Sequence, residues 1–322
     1  MPLIQKFPLL LMFLLLFALP PTLNAQTQQR FHPFVLAANE TGAMTNKIAE
    51  VSAALKAQGL EVIAEYEPVA NTHIFMVTNS ALQQQANQST TLGESFAVVQ
   101  RVALTEVAGK VQVAYFNPVY MGHAYRVKDL TALISLKTAL DTALGTTPVG
   151  EFGATKGSLN GLSPRQLAKY KYAPGMEYFD DFYDLAKYDS HKQAVQGVLQ
   201  ALSKKQGGAS KLYQLDIPDQ KRTLFGVSLT ENYSSDAKII SIIDKQEYRH
   251  TAHFPYEILV DDTRVIALDV RFRVAISWPT LKMAGEVSFL KIIKAPGDTE
   301  KALTLAAGGT LQKEENDFDS WE

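Results

Sequence analysis

The stretch NPVYMGHAYR places six side chains with usable chemistry within ten positions: Asn117, Tyr120, Met121, His123, Tyr125 and Arg126. A histidine serves as general base, proton switch or metal ligand. Met121 and His123 offer a thioether and an imidazole two positions apart, a pair that suits copper in an exported protein. Tyr120, Tyr125, Asn117 and Arg126 would complete a wall for a small bound molecule. A plainer account covers most of the same residues. Pro118 fixes φ and lacks an N–H, so it ends a strand. Asn117 can bond local backbone groups through the turn. Tyr120 and Met121 would then cap the sheet, leaving His123 as the residue with least structural excuse.

A metal would need further ligands, and the other histidines, His32, His73, His191, His250 and His253, are scattered. His250-Thr-Ala-His253 resembles half of a zinc motif but lacks the glutamate of H-E-x-x-H. Ser288-Phe-Leu-Lys291 spells S-x-x-K without its companion elements, and no G-x-S-x-G occurs. No coherent catalytic set, metal-ligand set or cofactor motif emerges, so none is expected.

Around this stretch the pattern is that of an α+β protein. RFHPFVLAAN reads as a first strand. NKIAEVSAALKAQG reads as a helix with Ile48, Val51 and Leu55 on one face, Asn46 as its cap and Gly59 as its end. LEVIAEYEP and HIFMVTNS follow as strands. ESFAVVQRVALTEVAGKVQVAYFNP reads as two antiparallel strands around Ala108-Gly109. LTALISLKTALDTALG is a helix with a leucine stripe and Gly145 as its stop. Residues 146–189 are rich in Gly and Tyr and read as a linker and an aromatic strap. The order then restarts. SHKQAVQGVLQALSKKQGG is a helix capped by Ser190, and KLYQLDIP, RTLFGVSL and AKIISIID read as strands. HFPYEILVDDTRVIALDVRFRVAISWP reads as one long hairpin. WPTLKMAG would then match NPVYMGHA, aligning Pro279 with Pro118, 161 positions earlier. The helix-to-strand joins at Gly59 and Gly208 lie about 150 apart. These repeats predict two related domains, 31–145 and 190–310.

The chain of 322 residues is 46% hydrophobic and 20% charged, enough to bury a sizeable core. Residues 1–25 carry one lysine, no acid and an apolar run closed by Ala25, the pattern of a cleaved secretory signal. The expected location is therefore periplasmic or secreted. No later stretch is apolar enough to span a membrane. The absence of cysteine excludes disulfides, thiolate metal sites and lipoprotein attachment. A net charge of −2 without a basic block argues against nucleic acid and anionic lipid as partners. Residues 311–322 form an acidic tail, read as a solvated end.

FAVVQRVALTEVAGKVQVAYFNPVYMGHAYRV resembles an uncharacterised bacterial family, domain of unknown function 302, whose members run from a hydrophobic hairpin into an N-P-x-x-(L/M) corner. The resemblance covers residues 31–145, and 253–285 look like a diverged second copy with Trp278 in place of the corner Asn. It implies two α+β units, each a curved antiparallel sheet with helices on one face, of TATA-binding-protein-like architecture. It implies no activity.

The expected function is non-enzymatic: a groove between paired sheets that takes a small apolar or amphipathic ligand, or a periplasmic protein. The alternatives are a metal- or haem-handling protein using His123 and Met121, and an enzyme with its site in the first domain. His123 and Arg126 have no match in the second copy, which puts any specific site in the first. An exposed sheet edge would also suit a homodimer.

Overall fold

The structure is a computed structural model and describes residues 29–156, 159–171 and 176–311. The expected signal at 1–25 and nearly all of the acidic tail lie outside the described residues. The chain is an α+β protein built on two antiparallel sheets.

The first unit runs β1 (Phe34–Thr41), α1 (Met44–Ala57), β2 (Glu61–Tyr66), β3 (Thr72–Thr78), α2 (Ser80–Gln88), α3 (Leu92–Ala97), β4 (Gln100–Val107), β5 (Lys110–Phe116), α4 (Pro118–Ala124) and α5 (Thr131–Leu144). Then come β6 (Gly150–Phe152), a small ribbon of β7 (Thr155–Lys156) and β8 (Leu159–Asn160), and α6 (Pro164–Ala168). The second unit runs β9 (Phe182–Lys187), α7 (His191–Ser203), β10 (Ala209–Ile217), β11 (Arg222–Leu229), α8 (Asp236–Ile243), β12 (Tyr256–Asp261), β13 (Arg264–Leu268), α9 (Val270–Ser277) and α10 (Ala295–Ala306).

The strand orders are β2-β3-β4-β5-β1-β6 and β10-β11-β12-β13-β9. Apart from β6 these are the same topology, strand for strand. The irregularities repeat as well. β2 bulges between Val62 and Ala64 against β3, and β10 bulges between Lys211 and Tyr213 against β11. β1 bulges between Leu36 and Ala38, and its counterpart β9 skips Leu185 between Ala186 and Asp184. Bulges fix local twist and strand direction, so their coincidence marks one design used twice. In each unit the helix after the first strand and the last helix pack together over the sheet: α1 with α5, and α7 with α10.

Four local expectations are corrected. AKIISIID is helix α8, not a strand. Ser235 caps it through Lys238 N, and Ile239 and Ile243 are buried four apart. The second hairpin stops at Leu268 and DVRFRVAIS turns into α9, where Asp269 accepts from Arg271 N. Both segments are rich in β-branched residues, which mimic strand composition. ESFAVV likewise precedes its strand as α3 rather than opening it. Finally, α1 starts after Ala43, without a side-chain cap, so Asn46 lies inside the helix.

The start of α9 also resets the internal alignment. The residue that leaves β5 and caps α4 is Asn117; the residue that leaves β13 and caps α9 is Asp269. They are 152 positions apart, in step with the separation at Gly59 and Gly208. Pro279 is therefore not the counterpart of Pro118. Nor is 146–189 only a linker, because it supplies edge strands β6 and β9 to the two sheets.

The buried apolar residues of both units form one continuous core. Aromatic rings bridge the seam: Phe179 stacks on Tyr125 at 5.4 Å and meets Phe272 at 5.8 Å, and Phe34 meets His250 at 4.6 Å.

Candidate functional site

The corner residues occupy the seam between the units. Asn117 is fully buried. Its carboxamide oxygen accepts from Val119 N at 3.2 Å, and its amide donates to His32 O at 3.0 Å. Tyr120, also fully buried, donates to Ile276 O of the second unit at 2.8 Å. Burial pushes its hydroxyl well above the usual tyrosine range. Met121 is sealed in, and its sulfur accepts from Gln100 Nε2 at 3.7 Å. Tyr125 is buried among Phe96, Phe179 and Phe272. Arg126, at a left-handed φ of 56°, donates to Ala168 O at 3.0 Å and pairs with Asp180 at 2.8 Å. These bonds all run to the protein itself.

His123 is half-buried, its ring 5.4 Å from that of Phe31. Burial lowers its pKa from the ordinary value, favouring the neutral ring. Sequence spacing suggested a pair with Met121, but both lie on α4. Positions two apart on a helix do not face each other. Among the described residues, no group of three or more His, Cys, Asp or Glu is placed to share a metal ion.

A denser polar cluster lies where the strands β4 and β12 approach. Arg101 Nη2 stands 2.5 Å from Glu257 Oε2, with both side chains 1% exposed. Tyr213 donates to the other Glu257 oxygen at 2.7 Å. Arg273 donates to His253 O at 2.7 Å and Pro255 O at 3.0 Å, and lies 4.3 Å above the Tyr256 ring. His253 Nδ1 meets Ser277 Oγ at 2.7 Å. His250 Nδ1 bonds the Ser277 carbonyl at 2.8 Å, so this nitrogen carries the proton and donates. Burial drives the His250 pKa down to about 3, and holds His253 well below its usual value. The half-motif His250–His253 thus belongs to a 3₁₀ turn and acts as neutral aromatic filling.

Further polar ties cross the seam. Tyr66 donates to Asp236 at 2.7 Å, and burial pushes this carboxyl up to about 7. Gln112 clasps the 247–249 backbone, giving to Glu247 O at 2.8 Å and taking from Arg249 N at 3.1 Å. Arg222 pairs with Asp261 at 2.7 Å and reaches the carbonyls of Thr90 and Thr91 at 2.9 and 3.0 Å. Much of the expected groove between paired sheets is therefore filled by an ion pair, hydrogen bonds and rings, and a recess of ≈190 Å³ stays open along the seam between Phe152, Gly153 and Thr155 and the facing Gln246, Tyr248 and His250. Sequence reading passed over these residues. The available signal was a charge interrupting an apolar run: Arg101 in FAVVQRVAL, Glu257 in FPYEILV, Arg273 in VRFRVAIS. A buried charge demands a partner.

An open groove of ≈680 Å³ lies on the outer surface of the second unit, between α8 and the loop at 286–291. Its floor is Tyr233, Ile242 and Val287, half-buried and packed on the core. Its rim carries Ser241, Lys245, Glu286 and Lys291. Lys238 holds its ammonium 3.8 Å over the Tyr233 ring and steadies that wall. Apolar floor and cationic rim together fit a molecule with one apolar and one anionic end.

No protein-family model matches the chain, and no curated protein matches it. The fold defines an α+β protein with one topology used twice and a polar seam between the two units.

Proposed function

We propose that this chain is an exported, non-enzymatic binding protein that takes a small amphipathic anion in the groove between α8 and the 286–291 loop. The observation that carries this reading is the lining, with Tyr233, Ile242 and Val287 beneath Lys245 and Lys291. The apolar part of a ligand would leave water against the three floor residues. Its charged end would stay at the wet rim beside ammonium groups, where little desolvation is required. What supports the non-enzymatic part is that Asn117, Tyr120 and Arg126 direct side-chain donors to backbone carbonyls, and that Arg101 is paired with Glu257. The site moves from the first unit, where sequence asymmetry placed it, to the second. A metal or haem at His123 and Met121 is the weaker reading, because α4 turns the two side chains apart.

Calorimetric titration of the mature protein with dodecanoate tests the proposal. Saturable binding that weakens at least tenfold in Ile242→Asp and in Lys245→Glu is expected. Equal binding by the wild type and both variants would refute the groove.

A further inference from the structure

We infer that the loop from Lys282 to Lys294 docks on an anionic lipid surface. This surface lies beside the groove and shares Lys291 with its rim, but its apolar tips, Met283, Leu290 and Ile293, and its outer lysines, Lys282 and Lys294, do not line the groove. Three of the large apolar residues exposed among those described, Met283 (46%), Leu290 (52%) and Ile293 (53%), sit in this one loop. Backbone bonds hold them together. Leu290 N donates to Met283 O at 3.0 Å, and Phe289 N donates to Lys282 O at 2.9 Å. Lys282 and Ser288 also form a parallel bridge. Leu290 and Ile293 are three apart across the 3₁₀ turn Phe289–Ile292, where residues three apart lie one above the other.

The tip is pinned from beneath. Phe289 and Ile292 are buried, and Ser288 Oγ donates to Gly285 O at 2.9 Å. The three apolar side chains are thus held outward by a supported turn. The same loop exposes Lys282, Lys291 and Lys294 against the single acid Glu286. The chain as a whole is net negative, so this is a local reversal of charge. Whole-chain charge, which argued against lipid surfaces, averages it away.

Exposed aliphatic residues among lysines match the headgroup boundary of a bilayer. Apolar tips enter the acyl region while lysines extend along them to anionic phosphates. A protein partner suits the surface less well, since lysine is depleted from protein–protein contacts. No helix of the described residues is long and apolar enough to cross a membrane, so attachment here would be peripheral.

The test is flotation of the mature protein with vesicles of phosphatidylcholine containing phosphatidylglycerol, and of phosphatidylcholine alone. Binding to the anionic vesicles only, weakened by added salt, is expected. Leu290→Ser with Ile293→Ser should lower partitioning by at least tenfold. Lys282→Gln with Lys294→Gln should lower it about fivefold per lysine, while leaving dodecanoate binding in the groove unchanged. All four positions are exposed, and a thermal melt of each variant checks that the fold is kept. Failure of the wild type to float with anionic vesicles would overturn the inference. So would flotation that neither pair of substitutions alters, or capture of a protein through this loop without vesicle binding.

Discussion

Removing one member of the Arg101–Glu257 pair should cost far more than replacing both. The two groups are 1% exposed and 2.5 Å apart, one on each sheet. Glu257→Gln keeps an acceptor for Tyr213 but leaves the guanidinium buried without a counter-charge. Breaking such a pair costs about 3–5 kcal/mol. Arg101→Met strands the carboxylate and should cost a similar amount. With about 2.1 cal/mol/K of unfolding entropy per residue, each kcal/mol lowers the Tm of a chain this long by about 1.5–2 °C, so each single change should lower it by roughly 5–10 °C. The double variant Arg101→Met with Glu257→Leu removes both charges and refills the space. Its remaining cost is the unpaired Tyr213 hydroxyl, about 1–3 kcal/mol. Calorimetric melts and urea titrations of wild type, both singles and the double form a closed cycle. The expected coupling is several kcal/mol, with one transition throughout because the pair ties the two sheets together. Costs that add to within about 0.5 kcal/mol, or two separate transitions in the wild type, would refute the reasoning.

Asp236→Asn should change how stability depends on pH. Burial raises this carboxyl from the ordinary aspartate range to about 7. Its stabilising contribution is therefore complete below about pH 4 and is lost as pH rises towards 7. Relative to wild type, the variant should gain stability across that window, on the order of 3–4 kcal/mol, and no more above it. Urea unfolding at stepped pH reads this, and a flat difference would contradict it. Gly226 faces Tyr213 across β10 and β11, and a Cβ there would stand 2.0 Å from the ring. Gly226→Val should displace Tyr213 from Glu257 and cost several kcal/mol, read as a fall in Tm; unchanged melting would sink that view. Arg222→Ala should free the carbonyls of residues 89–91 and speed amide exchange in the loop before α3, while exchange in α7 stays the same.

Much of the fold is written in local pattern. The β4–β5 hairpin announces itself through alternation around Ala108-Gly109, and both residues take positive φ. α1, α5 and α7 show apolar stripes at helical spacing. The two largest misreadings share one cause. α8 and α9 are built from Ile, Val and Phe, and their helical state rests on the caps Ser235 and Asp269 and on tertiary burial rather than on propensity. Taking α9 for a strand then slid the internal alignment onto Pro279. The seam was harder still. Arg101 and Glu257 are far apart in sequence, and no spacing rule links them. His123 drew attention by its residue type, yet its neighbours on α4 point elsewhere. The groove joins residues from 233 to 291, and only folding brings Ile242 and Val287 onto one floor.

Native mass spectrometry of the protein purified from the cells that make it tests the central claim most directly. The account predicts an acidic amphiphile carried by the wild type, retained by His123→Ala and lost from Ile242→Asp. A ligand or metal that leaves with His123→Ala and stays in Ile242→Asp would contradict it. So would a wild-type protein that comes out bare and remains bare after incubation with dodecanoate.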